Sequence, residues 1–295
     1  MPPFDRYAAI DWSGAKGERH KGIAIAWCDA NGGPPALLEP GRSWSRTDVL
    51  RWLRDLASAS QRTLVGMDLG ISLPYADCGA FFPGAAQSPG SAKALWALVD
   101  GICSGDPHLG AGTFVDHSDF AEFFRRHGGR EGTRFRCDGA EHGRGRFRVT
   151  ELRQQAMGCK PYSNFNLVGA AQVGKSSLTG MRVLHHLRGT LPVWPVDPAP
   201  RAGSAIVEIY TTIAAMAAGR RPGRAKMRRH EDIDAALQAL GSPPLGREGP
   251  VDDHSADALV TAAWLRNAAA KPDNWTPQAL TPSIARTEGW TFGVR

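Results

Sequence analysis

The chain has 295 residues, 42% of them hydrophobic, enough to bury a real core and to exclude wholesale disorder. No apolar run approaches the roughly 18–20 residues of a membrane span, and the opening MPPFDRYAAIDWSG lacks the basic-then-apolar pattern of a secretory leader, so a cytoplasmic protein with no membrane partner is expected. The net charge of +6 favours polyanions at long range, while Cys28, Cys78, Cys103, Cys137 and Cys159 are scattered, match no zinc spacing and read as reduced thiols.

Residues 7–11 form a short apolar run ending in Asp11, followed by Trp12, Ser13 and Gly14 as a turn and by a second apolar run at 22–27, a pattern that predicts a β-hairpin. A third strand is expected within 36–44. Thr47 then caps a helix in which Val49, Leu53 and Leu56 recur at helical spacing. Residues 64–68 have the pattern of a buried strand and again end in an acid, Asp68. Three strands, a helix and a fourth strand in this order make the first half of an α/β unit. From 75 to 202 glycine and proline punctuate the chain, and only 119–126 and 178–187 stand out as helical, so this stretch reads as one large irregular insertion. Regularity returns with a fifth strand at 205–210. A helix follows with Ile233, Ala236, Leu237 and Leu240 on one face and Gly241 as its stop. A last strong helix is predicted from about 253 to 269.

The acids fall at informative places. Asp11 ends the first strand, Asp68 ends the fourth, Glu208 lies in the fifth, and Asp253 and Asp257 lie on the last helix. Residues three and four apart share a helix face, so Asp257 stands beside both His254 and Asp253. Hard cations such as Mg²⁺ or Mn²⁺ take oxygen ligands of this kind, and a pair of them can clamp the attacking and leaving oxygens of a phosphodiester.

The segments YAAIDWSGAKG, VGMDLGISLP, IVEIYTT, DDHSADALVTAAWL and EGWTFGV, in this order, resemble a predicted-nuclease family with a ribonuclease-H-like fold. The resemblance covers both ends of the chain and leaves its middle weakly covered. It implies an α/β fold with a mixed sheet, the first three strands antiparallel and the rest parallel, flanked by helices. A single domain follows, with core segments 5–74 and 203–295 and an insertion at 75–202. It implies a metal-dependent nuclease whose site is Asp11, Asp68, Glu208 and Asp257. The HSADA stretch is also similar to the corresponding helix of Holliday-junction resolvases, which adds His254, and with it Asp253, to the candidate metal ligands. Two departures stand out: the fourth-strand acid is an aspartate where many nucleases of this fold carry the longer glutamate, and Glu208 has no firm counterpart in the resolvases.

A competing motif lies at 169–176, where Gly169, Gly174, Lys175 and Ser176 complete GxxxxGKS after the apolar residues 165–168. In a nucleotide-binding loop the backbone amides surround the phosphates, Lys175 reaches the β and γ groups and Ser176 holds magnesium. The only nearby strand candidate, at 193–197, is interrupted by Pro195, which argues against such a domain. The turn at Asp11 to Gly14 also resembles the phosphate-contacting turn of sugar kinases and actin-like ATPases. Those proteins normally duplicate the core, and this chain has room for one copy. Two basic clusters remain. Arg220, Arg221, Arg224, Lys226 and Arg228 follow the fifth strand and are candidates for gripping the backbone of DNA or RNA. Arg134, Arg136, Arg144, Arg146 and Arg148 are interleaved with Phe135 and Phe147, which could stack on bases. Besides a nuclease, then, the sequence leaves open a nucleotide-binding or phosphotransfer protein and a non-catalytic binding protein of the same fold.

Overall fold

The computed structural model describes residues 4–136, 144–169, 172–221 and 226–295. Six strands form one sheet: β1 (Arg6–Asp11), β2 (Ala24–Asp29), β3 (Gly32–Leu37), β4 (Thr63–Asp68), β5 (Val193–Trp194) and β6 (Ala205–Glu208). Their spatial order is β3-β2-β1-β4-β6-β5. The first three pair antiparallel, and β1–β4, β4–β6 and β6–β5 pair parallel. The helices are α1 (Arg46–Ser58), α2 (Ala92–Ile102), α3 (Gly112–Asp116), α4 (Val149–Ala156), α5 (Val173–His186), α6 (Thr211–Ala217), α7 (His230–Ala239), α8 (Asp253–Ala269) and α9 (Pro282–Thr287). A mixed sheet of this order with helices on both faces is the ribonuclease-H-like arrangement. Among the described residues no helix is long and apolar enough to cross a membrane.

Successive strand side chains point to opposite faces, and the two cores follow that period. Tyr7, Ala9, Leu64, Ala205 and Val207 pack under α6, α7 and α8 with Trp290 and Phe292. Ala8, Ile10, Val65, Met67 and Ile206 pack on the opposite side against α1, α2 and α5. There Phe82, Phe114, Phe120, Phe123, Phe124 and Phe165 add an aromatic cluster.

Several boundaries differ from the sequence reading. The third strand runs earlier than 36–44: Gly32, at φ +117°, turns the chain directly out of β2, and Pro34 and Pro35 are tolerated because β3 is an edge strand. The cap of α1 is Ser45 rather than Thr47. Its hydroxyl accepts the Asp48 N–H at 3.0 Å, and the Asp48 carboxylate accepts the Ser45 N–H at 3.3 Å. The expected helix at 119–126 is only a short 3₁₀ turn at Ala121–Phe123, and α5 begins at Val173, five residues before 178. Residues 75–202 also supply core elements: α2 packs on α5, and β5 extends the sheet. The strand β5 stops at Trp194, before Pro195, so the proline never enters the ladder. The fifth strand expected at 205–210 ends at Glu208, and α6 separates it from the basic segment.

Gly66 sits where a side chain has no room, since a Cβ there would lie 2.7 Å from Ile209 Cγ2. Gly66→Val should therefore overpack the sheet–α8 layer and cost about 1–3 kcal/mol of unfolding free energy. Urea denaturation checks this, and an unchanged midpoint would contradict it.

Candidate carboxylate site

Asp11 and Asp68 are partners in the parallel β1–β4 register. Each follows a residue of the α1/α2/α5 side, Ile10 and Met67, so both turn toward the face covered by α8. Helix α8 starts where Asp252 caps it, accepting the N–H groups of His254 at 3.1 Å and Ser255 at 2.9 Å. The first two turns then present His254 and Asp257 to the strand ends.

The interactions within this cluster are unequal. His254 Nδ1 donates to Asp11 Oδ2 at 2.8 Å, and that bond raises the imidazole pKa. Asp68 receives a long hydrogen bond from the Thr211 hydroxyl, 3.3 Å. Burial first, then the charges of Asp11 and Asp257, hold its carboxyl well above the usual carboxylate range. Burial likewise raises Asp257 to about 6, and Asp11 adds to the shift. Lys226 opposes it: its Nζ lies 3.1 Å from Asp257 Oδ2 and 3.7 Å from Asp253 Oδ2. Partial burial works against the ammonium, yet Asp257 and Asp253 raise its pKa. Asp253 is further paired with Arg228 Nε at 3.2 Å.

Beside these residues opens a cleft of about 400 Å³ lined by Trp12, Asp68, Tyr162, Asn164, Ser176 and His254 among others. Its far wall holds Glu208, which the structure engages differently from the aspartates. Glu208 is the register partner of Met67, not of Asp68, and so faces the other side of the sheet. It is buried and held in a two-pronged ion pair by Arg148, with Nη2–Oε1 at 2.6 Å and Nη1–Oε2 at 2.8 Å. Ile71 N–H donates to it at 2.8 Å, and the Thr291 hydroxyl donates to Oε1. Arg148 also binds Glu151, which burial raises to about 7, and the carbonyl of Glu288 at 2.9 Å. With its lone pairs filled, Glu208 is a structural anchor of the cleft wall.

As the side chains stand, no three His, Cys, Asp or Glu residues among those described converge to hold a metal ion. The donor chemistry nevertheless fits a hard divalent cation at Asp11, Asp68 and Asp257. Asp68, raised by burial and then by two other acids, marks a cluster short of positive charge, and Lys226 and His254 supply only part of it.

The predicted basic residues divide. Arg221 is exposed, and Arg220 pairs with Asp232 at 3.4 Å. Arg228, which is exposed, and Lys226 sit at the start of α8 beside the carboxylates; Arg224 lies outside the described residues. In the other cluster Phe135 has no free face to offer a base, while Phe147 is half-buried with Arg144 over its ring at 5.1 Å. Arg146 and Phe135 are fully buried, with Arg146 clamped by Asp77 at 2.6 and 2.7 Å, and Arg148 is the buried partner of Glu208. Lys226 as a carboxylate partner, and Thr211, Tyr162 and Arg148 as parts of the site, were missed from sequence. The period-two alternation of β6 was the one signal that could have separated Glu208 from the aspartates.

The GxxxxGKS segment does not have the setting of a nucleotide loop. Residues 165–168 contribute only a single bridge between Asn166 and Arg125 and belong to no strand of the sheet. Gly174 N–H donates to the Asn166 carbonyl at 3.0 Å, and Lys175 and Ser176 N–H donate to the Gln172 carbonyl at 3.1 and 3.3 Å, so these amides are already committed. Gly14 packs on the same turn, where a Cβ would lie 2.4 Å from Ser176 N. Compared with protein-family models, curated proteins and solved structures, the chain matches none.

Asp68 and Asp257 keep their protons in the folded chain at pH values where the unfolded chain has lost them. The contribution of these two carboxyls to stability therefore falls as the pH rises from about 4 through 6 and beyond. In metal-free buffer at pH 8, Asp68→Asn should raise the melting temperature by several degrees and flatten the pH dependence; a lower melting temperature at pH 8 would contradict it. Arg148→Met, by contrast, should destabilise by about 3–5 kcal/mol because it leaves Glu208 and Glu151 buried without their counter-ion. Chemical denaturation at neutral pH measures this loss.

Proposed function

We propose that the chain is a metal-dependent nuclease hydrolysing phosphodiester bonds of DNA or RNA. The observation that carries this reading is the alignment of Asp11 and Asp68 at adjacent parallel strand ends with Asp257 of α8 close enough to raise the Asp68 pKa. Asp11, Asp68 and Asp257 would hold Mg²⁺ or Mn²⁺; Asp253 and His254 stand outside them as neighbours. Bound there, the ion supplies a Lewis acid for the phosphoryl oxygen and charge for the attacking oxygen. His254 keeps its Nδ1 proton on Asp11 and so fixes the orientation of that carboxylate. Tyr162, nearly half exposed on the cleft rim, offers a base-stacking platform, and Arg221 and Arg228 offer cations for the backbone. Membership of the predicted-nuclease family, the likeness of the His254–Asp257 turn to that of Holliday-junction resolvases, and a cytoplasmic location belong to the same proposal.

A non-catalytic binding protein of this fold is the second reading. It is favoured by Lys226, which already neutralises Asp257, and by Glu208, which Arg148 withdraws from the cluster.

The test is cleavage of branched, duplex and single-stranded DNA and RNA with Mg²⁺ or Mn²⁺ and with chelator. Cleavage should need metal and fall at least about 100-fold in both Asp11→Asn and Asp257→Asn. Cleavage that survives in both variants would reject the carboxylate site. No cleavage by the wild type would favour the second reading.

A further inference from the structure

A second cavity, of about 1080 Å³, lies on the other side of the Gly14–α5 contact, between the turn at 14–17, the segments at 106–116 and 125–130, and the start of α5. It shares Gly14, Ala15, Gly169 and Gln172 with the carboxylate cleft. Its lining is strongly basic: Lys16, Arg46, Arg125, Arg126, Arg130 and Lys175 face two acids. Both acids are already engaged. Asp106 accepts from the N–H and hydroxyl of Thr113, and Asp116 pairs with Arg126 Nη1 at 3.1 Å.

Two buried features point to an anion. Arg46 is 1% exposed, and among the described residues its guanidinium donates only to carbonyls, those of Ser13 at 3.1 and 3.2 Å, His108 at 3.0 Å and Ala15. No carboxylate pairs with it among the described residues, and burial together with the charge of Arg182 pulls its pKa down to about 10. A buried guanidinium without a counter-ion is costly, and an anion in the cavity above it relieves that cost. Arg126 supplies the second feature: its Nε and Nη2 are buried with no hydrogen-bond partner among the described residues. With only Asp116 on its Nη1, this guanidinium leaves positive charge in the wall that an anion in the cavity offsets. Val115, Leu167 and Leu178 add an apolar wall, and the volume suits a group of nucleotide size.

We propose that this cavity binds the phosphate monoester of a nucleotide, free or at the end of a strand, with Lys175 contacting the phosphate and Arg126 and Arg46 adding charge from the cavity wall. The phosphate is held by side chains, since the amides of Gly174, Lys175 and Ser176 are committed to carbonyls. The site stands whether or not the carboxylate cluster cleaves anything.

Titration calorimetry of the full chain in chelator tests this, with four titrants: inorganic phosphate, a nucleoside monophosphate, and one oligonucleotide with and without a 5′-phosphate. Wild type is compared with Arg126→Gln and Lys175→Gln, each checked for folding by melting temperature. The monophosphate or the phosphorylated oligonucleotide should bind at least about tenfold tighter than inorganic phosphate and the unphosphorylated strand, and each folded variant should lose at least about fivefold. Equal affinity for those two ligands identifies a free nucleotide as sufficient; tighter binding of the oligonucleotide identifies a strand end. Lys175→Gln, at a half-buried position, decides alone if Arg126→Gln does not fold. The proposal is overturned if no titrant binds, if inorganic phosphate or the unphosphorylated strand binds as tightly, or if the folded variants bind like wild type.

Discussion

Two aspartates end adjacent parallel strands in register and on one face, and the surroundings of the site answer that concentration of negative charge. The sheet fixes their backbones, so they cannot move apart without breaking the ladder. Relief must come from neighbours: the His254 proton on Asp11, the Thr211 hydroxyl on Asp68, and the Lys226 ammonium beside Asp257. Asp68 nonetheless remains raised, so the compensation is incomplete. A site of this kind is stable in proportion to the positive charge brought to it.

The opposite side of the sheet end is balanced within the chain itself. Arg148 lies between Glu208 and Glu151, and the Glu288 carboxylate accepts the N–H groups of Tyr75, Ala76 and Val149 at 2.7–2.8 Å. These bonds tie the end of β6, the start of α4 and the C-terminal turn into one wall. The cleft thus has a neutralised, rigid side and an acid-rich side. The basic cavity beyond Gly14 is a third environment, with excess charge of the opposite sign.

Much of this frame was legible in the sequence. The strands ending at Asp11 and Asp68, α7 with its stop at Gly241, and α8 are elements whose periodicity and end signals agree, and local and tertiary preferences coincide there. The edge strand β3 was misplaced because prolines normally exclude a strand, while an edge leaves the missing N–H facing away from the ladder. The region 75–202 was read as irregular because its helices are short and broken by glycine and proline. Its aromatic cluster joins residues far apart in sequence, which no local pattern encodes. In the site, the order of the acids was visible; the β6 alternation that turns Glu208 away was not drawn on, so Glu208 was grouped with the aspartates. The contact of Lys226 with Asp257 was not visible, since it joins a loop to a helix 31 positions later with no periodic relation between them.

The most direct measurement of the central claim is Mn²⁺ uptake by electron paramagnetic resonance, comparing wild type, Asp68→Asn and Lys226→Met. If the carboxylates form a cluster short of positive charge, wild type takes up Mn²⁺, Lys226→Met takes it up more tightly, and Asp68→Asn loses it. Equal uptake by wild type and Asp68→Asn, or weaker uptake by Lys226→Met than by wild type, would contradict the account.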